Sequence, residues 1–157
     1  MKKQLHLSLA IILAINLFAG LGGCSKKDSA SPKEIISGRK WVLTAQTINP
    51  GVSRNGSTIT DLYSQILNCT RDDISIYMPN GQYQEEEGAT KCKQADPQII
   101  QTGTWTLSSD NKTLAIITAQ GTIQFTITQL DNSTLAGTYV FVDGGVQYTV
   151  TATAKAI

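Results

Sequence analysis

The chain has 157 residues, with 13 basic and 12 acidic side chains, a formal net charge of +1 and a single histidine, His6. This balance offers no basic surface for nucleic acid. Because His6 lies in a segment predicted to be removed, a Ser-His-Asp site, a Cys-His site and a histidine metal site are excluded. The remaining chain, about 120 residues beyond its N-terminal segments, matches one domain with a single core.

The N terminus has the order of an export signal. A basic start, Lys2-Lys3, precedes a largely apolar stretch over residues 5–18. The run Leu21-Gly22-Gly23-Cys24 then resembles the lipobox of bacterial lipoproteins. In that family the cysteine is acylated, with palmitate among its acyl groups, and becomes the first residue after cleavage. The resemblance therefore implies a signal peptide over residues 1–23 and a lipid anchor on Cys24.

A transmembrane anchor over residues 5–23 is the alternative, since about 20 apolar residues span a bilayer. A glycine-rich end followed at once by cysteine favours processing instead. Removal of residues 1–23 would leave 11 basic and 12 acidic residues, a mature charge of −1. The predicted location is the bacterial cell envelope at the outer membrane, with the membrane as a partner through the anchor and no nucleic acid partner.

Residues 24–37 are predicted to form a lipidated, flexible tether. From residue 25 onward this segment is small, charged and interrupted by proline, so it cannot bury a core. At about 3.3 Å per extended residue it would reach roughly 40 Å. The folded domain is therefore predicted over residues 38–157.

From Trp41 onward apolar residues recur with period two, which is typical of strands with one buried face. Trp41 and Leu43 alternate with Val42 and Thr44. The later inward-facing sets are predicted as Ile74, Ile76 and Met78; Gly103, Trp105 and Leu107; Ile123, Phe125 and Ile127; and Val146, Tyr148 and Val150.

Short turns separate these runs and require antiparallel neighbours. The turn residues are Asn80-Gly81, Asp110-Asn111, Gln120-Gly121, Asp131-Asn132 and Asp143-Gly144-Gly145. About eight strands joined in this way predict an all-β antiparallel meander that closes into a barrel and leaves few exposed sheet edges. A two-sheet β-sandwich is the alternative.

One segment after the first strand has helical spacing. Thr58 is a plausible N-cap, and Asp61 follows in the first turn. The apolar residues of the predicted face are Ile59, Leu62, Tyr63, Ile66 and Leu67. We expect a short amphipathic helix that packs across one mouth of the barrel as a plug, with a moving lid as the alternative.

Cys69 and Cys92 remain after Cys24 is assigned to the anchor. An envelope compartment oxidises thiols, so we predict a disulfide between them. Such a loop would stabilise the fold by roughly 3 kcal/mol. A redox or nucleophilic role is disfavoured, because neither a nearby base nor a Cys-x-x-Cys spacing accompanies them.

The pattern resembles the lipocalin-like domain lipoproteins of the bacterial phylum Bacteroidota over nearly the whole chain. Beside the lipobox, the matching residues are Gly38-Arg39-Lys40-Trp41, Cys69 with Asp72-Asp73, Asn80-Gly81-Gln82-Tyr83, Cys92, and Gly103-Thr104-Trp105. The resemblance implies a meander barrel with paired cysteines, in a family whose members mostly lack an assigned activity. True lipocalins open with Gly-x-Trp, whereas the spacing here is Gly38-x-x-Trp41.

Glu85, Glu86 and Glu87 form an acidic run that, with Asp72 and Asp73, offers the ligand types of a calcium site or a glycosidase carboxylate pair. Consecutive strand residues point to opposite faces, and the sequence has no Asp-rich calcium loop. A solvated turn is therefore expected, because charge runs usually lie on the surface. No metal site and no cofactor are predicted.

The leading hypothesis is a non-enzymatic, lipid-anchored envelope lipoprotein whose barrel binds a small apolar or amphipathic ligand. The residues predicted to line the interior are Trp41, Leu43, Trp105, Ile116, Phe125, Tyr139 and Tyr148. A barrel of this size holds side chains alone or one small ligand. The alternative is a structural or interaction module that contacts an envelope protein partner through residues 49–57 and 88–97. A loop-based protease inhibitor would share that geometry.

Overall fold

The computed structural model describes residues 30–157. The predicted signal peptide over residues 1–23, the predicted lipidation site Cys24 and the first part of the tether lie outside these residues. In the described part of the chain, the helices are all too short or too polar to cross a bilayer.

One helix, nine strands and two 3₁₀ turns follow one another along residues 30–157. The elements in chain order are α1 (Pro32–Ser37), β1 (Lys40–Arg54), β2 (Ser57–Asp61), 3₁₀ turns at Tyr63–Gln65 and Asn68–Thr70, β3 (Ile74–Tyr77), β4 (Gln82–Glu86), β5 (Ile99–Leu107), β6 (Thr113–Thr118), β7 (Gly121–Leu130), β8 (Thr134–Asp143) and β9 (Val146–Ala156).

The strands form one antiparallel sheet that closes on itself. From β3 to β9 each strand pairs with the next in the chain. Strand β1 pairs with β3 over residues 40–42 on one edge and with β9 over residues 41–49 on the other. Eight strands therefore close a barrel, and β2 is a ninth strand that pairs with the far part of β1. The predicted meander barrel is confirmed, and the two-sheet sandwich is not formed.

The helix predicted around residues 59–67 does not form. Asn55 and Gly56 both have positive φ, 52° and 77°, which is the geometry of a tight hairpin turn. The chain therefore folds back, and Ile59 pairs with Val52 in the ladder between β1 and β2. Beyond Asp61 only the two 3₁₀ turns remain, because strand pairing has already satisfied the backbone at the start of the segment.

The folded domain begins before Gly38, because residues 32–37 form helix α1. Ser31 and Glu34 make a capping box, and Pro32 occupies the first turn. Ile36 is completely buried, and its carbonyl oxygen accepts a 3.0 Å hydrogen bond from Nε1 of Trp41. The expectation of a tether reaching residue 37 is wrong in its last part, since Ile36 belongs to the core.

The two ends of the barrel carry different connections. Helix α1 and the turns that join β3 to β4, β5 to β6 and β7 to β8 lie at one end, called the closed end below. The hairpin turns that join β1 to β2, β6 to β7 and β8 to β9 lie at the other, the open end, together with the β4–β5 loop.

The hydrophobic core is concentrated toward the closed end. Trp41 and Trp105 are buried, and the indole N–H of Trp105 donates to the carbonyl oxygen of Met78 at 2.8 Å. Tyr77 packs edge-on against Trp105, with ring centroids 5.6 Å apart. The other buried members of the core are Ile36, Tyr83, Leu114, Phe125, Leu135 and Ala152.

The barrel and its core both lie within residues 30–157. The buried residues of the core fall between Ile36 and Ala152, and the pairing of β1 with β9 closes the sheet. A closed sheet around its own core is the anatomy of a domain that folds independently. Residues 30–157 therefore contain the closed barrel together with its core.

Cys69 and Cys92 form a disulfide, with their Cα atoms 5.1 Å apart. It joins the second 3₁₀ turn to the β4–β5 loop. The carboxylate of Asp72 accepts hydrogen bonds from the backbone N–H and the hydroxyl of Thr90, at 2.8 and 2.7 Å. Two connections thus hold this loop at the open end, and the predicted disulfide is confirmed.

Candidate ligand cavity

A cavity of about 290 Å³ lies inside the barrel, beside the core at the closed end. It is lined by inward-facing residues of every strand of the barrel. Among them are five of the seven residues predicted to line the interior, namely Trp41, Leu43, Ile116, Phe125 and Tyr139.

The other two predicted residues lie elsewhere. Trp105 is part of the closed-end core, where its ring packs against Tyr77. Tyr148 lies on the far stretch of the β8–β9 hairpin and stacks on Phe141, with ring centroids 5.2 Å apart. Alternation along a strand identifies the inner face, but it does not report the depth of a residue along the barrel axis.

The inner face of β3 is the reverse of the predicted one. Ser75 pairs with Trp41, whose side chain points into the barrel, so Ser75 and Tyr77 face inward. Ile74 and Ile76 are half-buried on the outer face. The register with β1 decides the face of this four-residue strand, and its apolar pattern is too short to override that register.

The cavity has two chemically different walls. The apolar wall, from β6 to β8, consists of Ile116, Ile123, Phe125 and Leu135. The polar wall, from β3 to β5, consists of Ser75, Tyr83, Glu85 and Gln101. An apolar lining with a few placed polar groups is the usual composition of a small-molecule site.

A glycine in β8 lets the apolar wall form. A Cβ atom placed on the buried Gly137 would lie 2.7 Å from Cε1 of the Phe125 ring and 2.2 Å from the carbonyl oxygen of Thr126. No side chain fits at that distance. The Phe125 ring therefore keeps its place beside the cavity because residue 137 has no side chain.

Glu85 is the charged group of the polar wall. It lies directly across from Gln101 in the β4–β5 ladder, and Nε2 of Gln101 donates a hydrogen bond to Oε2 of Glu85. The neighbouring Glu86 points outward, with Oε2 3.7 Å from Nζ of Lys40. The expectation of a solvated turn is therefore wrong, because β4 continues through Glu86 and its alternation turns Glu85 inward.

The tyrosine hydroxyls near Glu85 are neutral at physiological pH. Burial and the charge of Glu85 raise the pKa of Tyr83 to about 12. Burial also raises the pKa of Tyr77. The hydroxyl oxygen of Tyr83 lies 3.3 Å from Oγ of Ser75, so these two hydroxyls form a hydrogen bond with each other. The polar wall thus offers hydroxyl groups and one carboxylate.

A second cavity, of about 190 Å³, continues from the first toward the open end. The two share Tyr83, Gln101, Ile116 and Ile123 as wall residues. The second cavity reaches residues 118–122, at the turn between β6 and β7, and Ile123 is 43% exposed although it faces the interior. A route therefore leads from solvent to the apolar wall.

Asp73 and Glu87 are two further carboxylates, and they lie close together at the start of the β4–β5 loop. Glu87 is only 8% exposed, and neither its Oε2 nor Oδ1 of Asp73 has a hydrogen-bond partner within residues 30–157. Burial, followed by the charge of Glu87, raises the pKa of Asp73 to about 6. No group of three or more His, Cys, Asp and Glu side chains in this part of the chain is arranged to hold a metal ion.

No known protein-family profile matches the chain, and no curated protein sequence matches it significantly. Two similar solved structures are complexes of bovine odorant binding protein, one with a selenium-containing odorant and one with undecanal. They are 14% and 15% identical in sequence to this chain, and each has a TM-score of 0.44. Each alignment covers 84% of this chain, and the two alignments cover 76% and 77% of the odorant binding protein chains. The assignment of the barrel rests on the strand pairing of this chain.

Proposed function

We propose that this protein is a non-enzymatic binding protein that holds a small apolar or amphipathic molecule inside its barrel. The observation that carries this proposal is the cavity of about 290 Å³ with one apolar and one polar wall. At roughly 30 Å³ for each water-sized group, that space takes a molecule of about ten non-hydrogen atoms. Small-molecule sites begin near about 300 Å³.

The direct test is calorimetric titration of residues 30–157 with octan-1-ol, which has an eight-carbon chain and one hydroxyl. A blocking variant, Ile123→Trp, enlarges a wall residue shared by both cavities. Its control, Ile117→Trp, makes the same change on the outer face of β6, where Ile117 is exposed. Saturable binding is expected for the parent and for Ile117→Trp, weakened by at least about tenfold in Ile123→Trp. Equal binding by both variants, or none by the parent, would contradict the proposal.

We further propose that the mature protein is held at the outer membrane of a bacterial envelope by lipid on Cys24. Support comes from the lipobox-like run that ends at this cysteine. The described chain enters the barrel through α1 at the closed end, and the cavity route leads toward the open end. Replacement of Cys24 by Ser should abolish lipidation and release the protein from membranes. Normal processing and membrane retention of that variant would refute the anchor.

A specific observation also supports a contact role for the open end. Val140 and Val142, on the outer face of the β8–β9 hairpin, are 54% and 66% exposed. Exposed apolar side chains that lie together mark contact surfaces. The second candidate function is therefore a structural or interaction module that binds an envelope protein through this end, where residues 49–57 and 88–97 also lie. Crosslinking in intact cells should then yield one recurrent protein partner that is lost when residues 49–57 are shortened.

A further inference from the structure

Glu85 is the charged side chain of the cavity wall, and Gln101 faces it from the adjacent strand. Nε2 of Gln101 donates to Oε2 of Glu85, which fixes the orientation of the amide. The other end of that amide, Oε1 of Gln101, is buried and has no hydrogen-bond partner within residues 30–157. This oxygen has almost no accessible surface, so the group of the polar wall that meets a charged donor in the cavity is the carboxylate of Glu85.

The charge of Glu85 also has no cationic neighbour on the cavity wall. Within residues 30–157 the wall contains no lysine or arginine. Lys40 pairs with Glu86 on the outer face. A half-buried carboxylate is stabilised by a cation or by several donors. The polar wall is therefore complementary to a positively charged group.

We propose that the ligand is a small amphipathic amine whose ammonium group binds the carboxylate of Glu85. A primary ammonium is positively charged and has three donors and no acceptor, which matches a carboxylate. Its alkyl or aromatic part lies on the apolar wall, beside Ile116, Phe125 and Leu135. A hydroxyl offers one donor, and a carboxylate would bring a second negative charge beside Glu85. This assignment rests on the proposed binding function and names the ligand class of the same cavity.

Three probes of one chain length separate charge from apolar contact. Octylamine, octan-1-ol and octanoate each carry eight carbons, and near neutral pH the amine is protonated while the acid is ionised. Each is titrated calorimetrically into residues 30–157. Octylamine should bind more tightly than octan-1-ol by about tenfold or more, as for a hydrogen bond to a charged partner. Octanoate should bind most weakly.

Two variants assign the preference to a residue. Glu85→Gln removes the charge and keeps the size of the side chain, so the advantage of octylamine over octan-1-ol should fall to within about twofold. Glu86→Gln removes the adjacent carboxylate, which points outward, and should leave the preference unchanged. A single cooperative thermal transition in both variants shows that the barrel is intact, and the three-probe comparison on the parent protein requires no variant.

The outcomes separate the amine assignment from the proposed function. Binding of all three probes with similar affinity, or a preference for octanoate, overturns the amine assignment and leaves a general apolar binding protein. A preference for octylamine that persists in Glu85→Gln also overturns it, because the charge then acts from elsewhere. Absence of saturable binding by any of the three probes overturns the binding function itself.

Discussion

The two ends of the barrel differ although the same strands run through both. At the closed end, α1 covers the interior and Trp41, Trp105 and Leu114 are buried. At the open end the hairpins extend outward, Val142 is 66% exposed and space remains between the walls. The closed end supplies the packing that stabilises the fold, which lets the space toward the open end remain unfilled by side chains.

The largest expected effect is at the closed end. Leu114→Ala empties a completely buried site on β6 and should lower the free energy of unfolding by about 4 kcal/mol, measured by chemical denaturation. Ile117→Ala removes a side chain of similar size from the exposed face of the same strand and should cost less than about 1 kcal/mol. Similar losses for the two variants would show that burial at the closed end does not dominate stability.

Removal of the disulfide tests whether a covalent cross-link at the open end contributes to the stability of the domain. Replacing both Cys69 and Cys92 by Ala releases a cross-link between residues 23 positions apart. The free energy of unfolding should fall by about 3 kcal/mol, because the unfolded chain gains freedom. The denaturation midpoint of the double variant measures this loss. A loss of less than about 1 kcal/mol in the free energy of unfolding would show that the disulfide holds the loop without stabilising the domain.

Gly137 lies at the boundary between the core and the cavity, where it contacts Phe125. Gly137→Ala places a methyl group against the carbonyl oxygen of Thr126 and the ring of Phe125. It should cost at least about 2 kcal/mol in the free energy of unfolding, with weaker binding of octan-1-ol. Phe125→Leu in the same chain should recover part of the loss, because the smaller side chain relieves the contact. Strict additivity of the two changes would mean that the residues do not restrain each other.

The smallest expected effect concerns the carboxylates at the open end, and it depends on pH. The folded protein raises the pKa of Asp73 from 3.8 to about 6, so stability is present at low pH and falls as the pH rises through that interval. Asp73→Asn should therefore raise the melting temperature by a few degrees near about pH 7.5 but not near about pH 4.

Asp72 provides the matched control with the opposite sign. Its hydrogen bonds from Thr90 lower its pKa, so the ionised carboxylate stabilises the fold at neutral pH and this stability is lost as the medium becomes acidic. Asp72→Asn should lower the melting temperature near about pH 7.5. An equal response of the two variants would show that burial and the charge of Glu87 do not raise the pKa of Asp73.

The barrel could be predicted from the sequence, because period-two alternation and short turns are local signals. Two local signals were also present at the sites of the errors. The run Ser31-Pro32-Lys33-Glu34 contains a capping box with proline in the first turn, a pattern that predicts the start of α1. Asn55-Gly56 is a strong hairpin signal, and it decides in favour of β2 over the helical spacing that follows.

The polar wall could not be predicted in the same way. Glu85 faces the cavity because of its register with Gln101, a partner 16 residues away across the long β4–β5 loop. Composition alone places an acidic run on the surface. Likewise, alternation put Tyr148 on the inner face. Only the ladders show that its partner Phe141 lies past Thr138, where the pairing of β8 with β7 ends, and that Tyr148 therefore lies beyond the cavity.

Binding inside the barrel is tested by locating a bound probe with isotope-filtered NMR, with labelled residues 30–157 and unlabelled octan-1-ol. We predict nuclear Overhauser contacts from the alkyl protons of octan-1-ol to the methyl groups of Ile116 and Leu135, inside the barrel. Contacts confined to Val140 and Val142 on the outer face, or none at saturating octan-1-ol, would contradict the claim that the barrel interior is the binding site.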